Sequence, residues 1–119
     1  MRKFIIKHVG LVATSALLLS LATSSVQGQE AEQLYEETCA TCHGANGKGD
    51  GPSGQALEPK PADFATALQG KDDAYLTKVI MEGGTSVGKS PMMPAYQDVF
   101  SEDQIQGLIQ YVKRFASPG

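Results

Sequence analysis

The chain of 119 residues contains two cysteines and two histidines. Both cysteines and one histidine stand together, in the run Cys39-Ala-Thr-Cys42-His43-Gly44. Two thiols at this spacing offer four chemistries: a structural disulfide, a thiol redox pair, a zinc site, or covalent attachment of a haem. A disulfide closing so short a loop would constrain little of the unfolded chain. A redox dithiol belongs in a strand-helix-strand setting, and the surrounding sequence offers none. Structural zinc takes four ligands, and one histidine beside two thiols falls short. Cys-x-x-Cys followed at once by His is the pattern of c-type haem attachment. Near the end of a helix the two sulfurs emerge about one turn apart, in reach of the two vinyl-derived carbons of one haem, with the imidazole of His43 aimed at the iron. Cys39 and Cys42 are therefore the candidate covalent attachment residues and His43 the candidate iron ligand, with a redox disulfide as the alternative.

A low-spin iron takes a sixth ligand. Beyond residue 28, His43 is the only histidine, so the soft donors left are Met81, Met92 and Met93. Met81 falls at the end of an amphipathic helical stretch, where a packing role is expected. Met92 and Met93 lie in the irregular, proline-flanked run Pro91-Met-Met-Pro94, whose stiff backbone suits a ligand approaching the opposite haem face. Met93 is favoured, and Met92 is the alternative. A thioether favours ferrous iron and raises the reduction potential, and two protein ligands leave no vacancy for oxygen chemistry. Other signals are weaker. Gly47-Lys48 lacks the spacing of a phosphate loop, Asp50 and Asp63 have no ordered run of oxygen ligands for calcium, and with His43 committed to iron no base remains to activate a serine.

Helices must carry these residues. Glu30 to Cys42 is rich in helix formers, with Ala31, Leu34, Tyr35 and Thr38 on one side. Gly44 to Gly54 packs five glycines into eleven residues and reads as a long loop, continued by Leu57-Glu-Pro-Lys-Pro61. Asp63 to Leu68 reads as a short helical turn. Asp72 caps a helix through Met81, with Leu76, Val79 and Ile80 on one face and Gly83-Gly84 ending it. Thr85 to Asp98 lacks periodicity. Ser101 and Gln104 form a capping-box pair ahead of Ile105, Leu108, Ile109, Val112 and Phe115, an apolar stripe at helical spacing. The expected fold is all-α, with long loops that need an organiser.

Met1 to Lys7 carries Arg2, Lys3 and Lys7, an apolar run spans Val9 to Leu21, and small residues at Val26 and Gly28 suit a cleavage site. This reads as a signal peptide over 1–28, cleaved after Gly28 and leaving a domain over 29–119. The apolar run is shorter than the roughly 20 residues of a spanning helix, so no stable membrane span is expected after cleavage. The full chain has ten basic and thirteen acidic residues; the leader holds three basic and no acidic ones, which makes the remainder acidic at −6. That balance argues against nucleic acid or an anionic membrane surface as partner. A domain this small and without Trp gains from a cofactor at its centre.

These residues resemble the class I (monohaem) c-type cytochromes, over essentially the whole of 29–119. Cys39-Ala-Thr-Cys42-His43-Gly44 is similar to the family's haem motif and Met93-Pro94-Ala-Tyr96 to its distal ligand segment, in the expected order. The resemblance implies a cytochrome c-like fold of about four to five helices around one covalent haem c, with His43 and Met93 as axial ligands. It implies a crossing of the first and last helices, Ala31 and Tyr35 over Leu108 and Tyr111, and a backbone carbonyl, with Pro59 and Pro61 as candidates, accepting a hydrogen bond from His43. It further implies one-electron transfer between redox partner proteins in the periplasm rather than catalysis at iron. The run Gly47-x-Gly-Asp-Gly-Pro52 with Leu57-x-Pro-x-Pro61-Ala-Asp-Phe64 is similar to soluble carriers and to haem domains of larger complexes, so a haem-bearing subunit of a respiratory dehydrogenase, reductase or oxidase is the alternative function. A sensing module with weak Met ligation is a third. The acidic charge favours a basic or neutral docking face on the partner.

Overall fold

Residues 26–43 form one continuous helix, α1, in the computed structural model, which describes residues 26–117. The helix reaches four residues further upstream than its expected start at Glu30, because Gln27, Gln29 and Glu30 are helix-compatible and Gly28 has open space around it. The leader expected over 1–28 lies outside the described residues, apart from residues 26–28, which belong to α1.

Helix α1 changes pitch part-way. It is α-helical over 26–34, π-helical over Tyr35–Cys39 and α-helical again over Ala40–His43. At the π turn the Ala40 amide donates to the Tyr35 carbonyl oxygen, five residues back, so the turn takes in one residue more than an α turn does. An unbroken α-helix advances about 100° per residue, which would set His43 about 80° away from Tyr35. With one residue absorbed, His43 returns to within about 20° of the stripe that carries Ala31 and Tyr35.

The three later helices begin at side-chain caps. Asp63 accepts from the Ala65 amide at 2.8 Å and opens α2, Phe64–Ala67. Asp72 accepts from the Tyr75 amide at 2.8 Å and opens α3, Asp73–Glu82. Ser101 and Gln104 exchange bonds at 3.2 and 3.0 Å in the expected capping box, opening α4, Glu102–Ala116. Each oxygen satisfies an amide that the first turn of a helix leaves without a partner. Short 3-10 turns, Gly54–Ala56 and Gly84–Val87, interrupt the two long irregular segments. Among the described residues there is no strand, and the all-α, cytochrome c-like expectation holds.

The core forms where α1 crosses α4. Ala31 and Tyr35 are buried against Ile105, Leu108, Ile109, Tyr111 and Val112, and Leu76 of α3 completes the cluster. The Tyr35 and Tyr111 rings lie 5.1 Å apart, tilted by 43°, within the range in which aromatic pairs attract. The close approach at the crossing rests on two small residues, since a Cβ on Gly107 would lie 3.4 Å from that of Ala31. Helix α3 is tied to α4 by Asp73, which accepts from Lys113 and from Gln110 Nε2, the latter at 3.1 Å.

Candidate cofactor site

Cys39 closes the π turn, and Cys42 and His43 form the last turn of α1. A helix end leaves carbonyl oxygens without intrahelical donors, and the glycine-rich loop supplies donors for them. Gly44 N–H donates to Ala40 at 2.8 Å, Ser53 N–H to Thr41 at 2.9 Å, and Gly49 N–H to His43 at 2.8 Å. The Gly44 carbonyl itself accepts from the buried Tyr35 hydroxyl at 2.7 Å. To make these bonds the loop lies directly on the helix end. A Cβ on Gly51 would sit 2.5 Å from the carbonyl oxygens of Ala40 and Thr41, and one on Gly54 would collide with the Cys42 carbonyl. The stretch expected as a plain loop is thus a close-fitted wrap that fixes the backbone of Cys42 and His43.

His43 is half-buried, and desolvation lowers its pKa. Its Nδ1 has no hydrogen-bond partner among the described residues. The ring of Phe64 lies against it, 4.7 Å between centroids at 30°. The carbonyl of Pro61, expected as a possible acceptor for His43, instead abuts Gly49, which has no side chain to keep it away. Cys39 and Cys42 are free and half-buried. Burial pushes the Cys39 thiol up to about 11, and the neighbouring Cys42 adds to the effect.

Met93 stands on a different element, held at the C-terminal end of α3. Its carbonyl accepts from Gly84 N–H at 2.9 Å, and just beyond Pro94 the amides of Tyr96 and Gln97 donate to Ile80 and Met81 at 3.0 and 3.2 Å. The last carbonyls of α3 are satisfied in this way, and the irregular segment 90–97 becomes rigid. Gly83 and Gly84 make the seat: a Cβ on Gly83 would lie 3.0 Å from the Met93 carbonyl oxygen, and one on Gly84 3.1 Å from the Met93 Cβ. Met93 is half-buried, whereas Met92 is 58% exposed. Three residues on from Met93, the Tyr96 phenol has its pKa raised by burial first and then by Cys39 and Cys42. Two thiols, a half-buried imidazole whose Nδ1 has no hydrogen-bond partner among the described residues, and a thioether on a rigid segment form a donor set that fits a c-type haem.

A family model described as cytochrome c oxidase, cbb3-type, subunit III matches residues 26–112. The chain belongs to this cytochrome c family. The Cbb3-type cytochrome c oxidase subunit CcoP of Azospirillum brasilense is 30% identical over 106 residues, covering 88% of this chain and 34% of that protein. Subunit FixP of Azorhizobium caulinodans is 34% identical over 80 residues, 67% of this chain and 24% of its own length. Cytochrome c6 of Euglena gracilis is 34% identical over 79 residues, 66% of this chain and 82% of that protein. The chain therefore spans about a third and about a quarter of the two oxidase subunits, but corresponds to most of the cytochrome c6. The resemblance to c-type cytochromes is borne out, and with it haem c binding and haem-based electron transfer as the chemistry of the domain.

Three contributors to the site escape the sequence reading. Phe64 is visible there only as the end of a proline-rich run, and Gly51 and Gly54 only as loop residues. The one available signal for the glycines is their density directly after His43.

Proposed function

We propose that the chain carries one haem c, bonded covalently to Cys39 and Cys42 with His43 and Met93 as axial ligands, and passes single electrons between redox partner proteins in the periplasm. The observation that carries this reading is the rigid placement of two ligand-bearing segments. The loop over Gly44 to Gly54 fixes the end of α1, and the 90–97 segment is fixed on Gly83 and Gly84. When bound, the haem supplies a metal that changes oxidation state by one electron. The protein's part is to hold His43 and Met93 so that neither moves when the charge changes, to keep water from the imidazole by burial, and to favour the ferrous state with a thioether donor. We further assign residues 1–28 as a cleaved leader, in keeping with an exported protein. Among the described residues no helix is long and apolar enough to cross a membrane.

A second reading makes the chain a haem-bearing module of a larger oxidase complex. The match to an oxidase subunit family, and the 88% of the chain that aligns with CcoP, favour it.

The test is a reduced-minus-oxidised spectrum of protein matured with haem-attachment machinery, followed by acid-acetone extraction. The α-band of a c-type haem that stays with the polypeptide is expected. Haem that leaves with the solvent would end the covalent reading. Release from native membranes at moderate salt supports the carrier, and stable co-purification with one large complex supports the subunit.

A further inference from the structure

His43 is attached to its backbone through a torsion between tetrahedral and planar carbons, which has broad and roughly two-fold wells. Something must choose the rotation of the ring. Among the described residues no hydrogen bond reaches Nδ1. One flat surface does meet the ring, that of Phe64, at 4.7 Å and 30°.

Phe64 is itself constrained on several sides. Its amide donates to the Gly47 carbonyl at 2.8 Å, and it is the first residue of α2, directly after the Asp63 cap. Its ring packs on Phe115 at 6.2 Å, and Phe115 in turn meets Tyr35 at 5.4 Å and Tyr111 at 5.5 Å. The room for this arrangement comes from Gly47, where a Cβ would lie 2.7 Å from Phe64 and 2.9 Å from Phe115. A series of rings thus runs from the crossing of α1 and α4 out to the imidazole.

We propose that Phe64 is a positioning residue for His43: its ring face sets the rotation of the imidazole plane and so the orientation in which the ligand meets the haem. The inference rests on the reading of His43 as an axial ligand. In a ferric low-spin haem, the axial ligand planes govern how unpaired spin spreads over the porphyrin. The order and spread of the hyperfine-shifted haem methyl resonances therefore report the rotation of the ligand planes.

The experiment compares the ferric holoprotein with its Phe64→Leu and Phe64→Tyr variants by proton NMR, with thermal unfolding alongside. Leucine keeps the apolar bulk but has no flat face. The expected result is a changed order or spread of the haem methyl shifts in Phe64→Leu, with the sulfur-to-iron charge-transfer band retained, and a return to the parent pattern in Phe64→Tyr. A Phe64→Leu variant of lower stability that keeps the parent pattern would overturn the proposal. Should Phe64→Leu fail to fold, Phe115→Leu removes the ring behind Phe64 without touching His43. A smaller shift of the same resonances is then expected, and an unchanged pattern counts against the proposal. Absence of the charge-transfer band from the parent protein would refute Met93 ligation instead, so the two failures are distinguishable.

Discussion

Tyr35→Phe removes one oxygen atom at the centre of the fold. The ring remains packed on Tyr111 and Phe115, and the hydroxyl loses its 2.7 Å bond to the Gly44 carbonyl. Gly44 is buried, so water does not replace the lost donor without opening the loop. The amide of Gly47 still donates to the same oxygen at 3.1 Å, which softens the loss. Leaving a buried acceptor short of a partner costs about 1–3 kcal/mol, and the remaining Gly47 bond places Tyr35→Phe in the lower half of that range. For a domain of this size each kcal/mol lowers Tm by about 4–8 °C. Tyr111→Phe is the control, because among the described residues the Tyr111 hydroxyl makes no hydrogen bond while its ring packs in the same cluster, against Tyr35 and Phe115. The assay is guanidinium unfolding of the ferric holoprotein, followed by circular dichroism, for the parent and both variants. A loss for Tyr35→Phe of less than about 0.5 kcal/mol, the ordinary scatter of surface substitutions, or one no larger than that of Tyr111→Phe, would refute the reasoning.

Met93→Ala should lower the reduction potential by a sizeable part of the roughly 0.8 V that axial ligation spans and should open the iron to carbon monoxide; redox titration and carbon monoxide difference spectra check this, with Met92→Ala changing little because that side chain is mostly exposed. Gly51→Ala forces a methyl group against the carbonyls of Ala40 and Thr41 and should cost about 1–3 kcal/mol, the usual penalty of overpacking, measured by the same guanidinium assay. The carboxyl of Asp73 is held below its ordinary pKa, first by its hydrogen bond from Lys113. A lowered carboxylate pKa gives stability that is full above the unfolded value and is lost as pH falls through the folded one. Asp73→Asn should therefore flatten the acid limb of a plot of denaturation midpoint against pH, and added salt should shrink the difference because both side chains are about half exposed.

Local signals made much of the chain legible. The caps at Asp63, Asp72 and Ser101 act within three residues, and the stripe from Ile105 to Val112 repeats at helical spacing, so sequence and structure agree there. The candidate ligands were legible for the same reason, as types and spacing inside short runs. What the sequence concealed depends on contacts between distant residues. Gly107 carries no local mark of lying against Ala31. The segment 90–97 shows its prolines but not its seat on Gly83 and Gly84, because that seat consists of backbone bonds to α3. The pairing of Phe64 with His43 joins residues 21 positions apart. The π turn has no sequence signature here, since Tyr35 to Cys39 would suit an ordinary α turn equally well.

That turn has a genetic consequence. Because Tyr35–Cys39 holds one residue more than an α turn, the motif after it keeps the phase of a helix one codon shorter. An in-frame deletion of Glu36 or Glu37, both exposed, would let the turn relax to α geometry while His43 stayed in line with Ala31 and Tyr35. The same single-codon loss between Ala31 and Tyr35 has no slack to draw on, and would swing everything downstream by about 100°. Length variation in this helix is therefore expected to be tolerated just ahead of Cys39 and rejected one turn earlier.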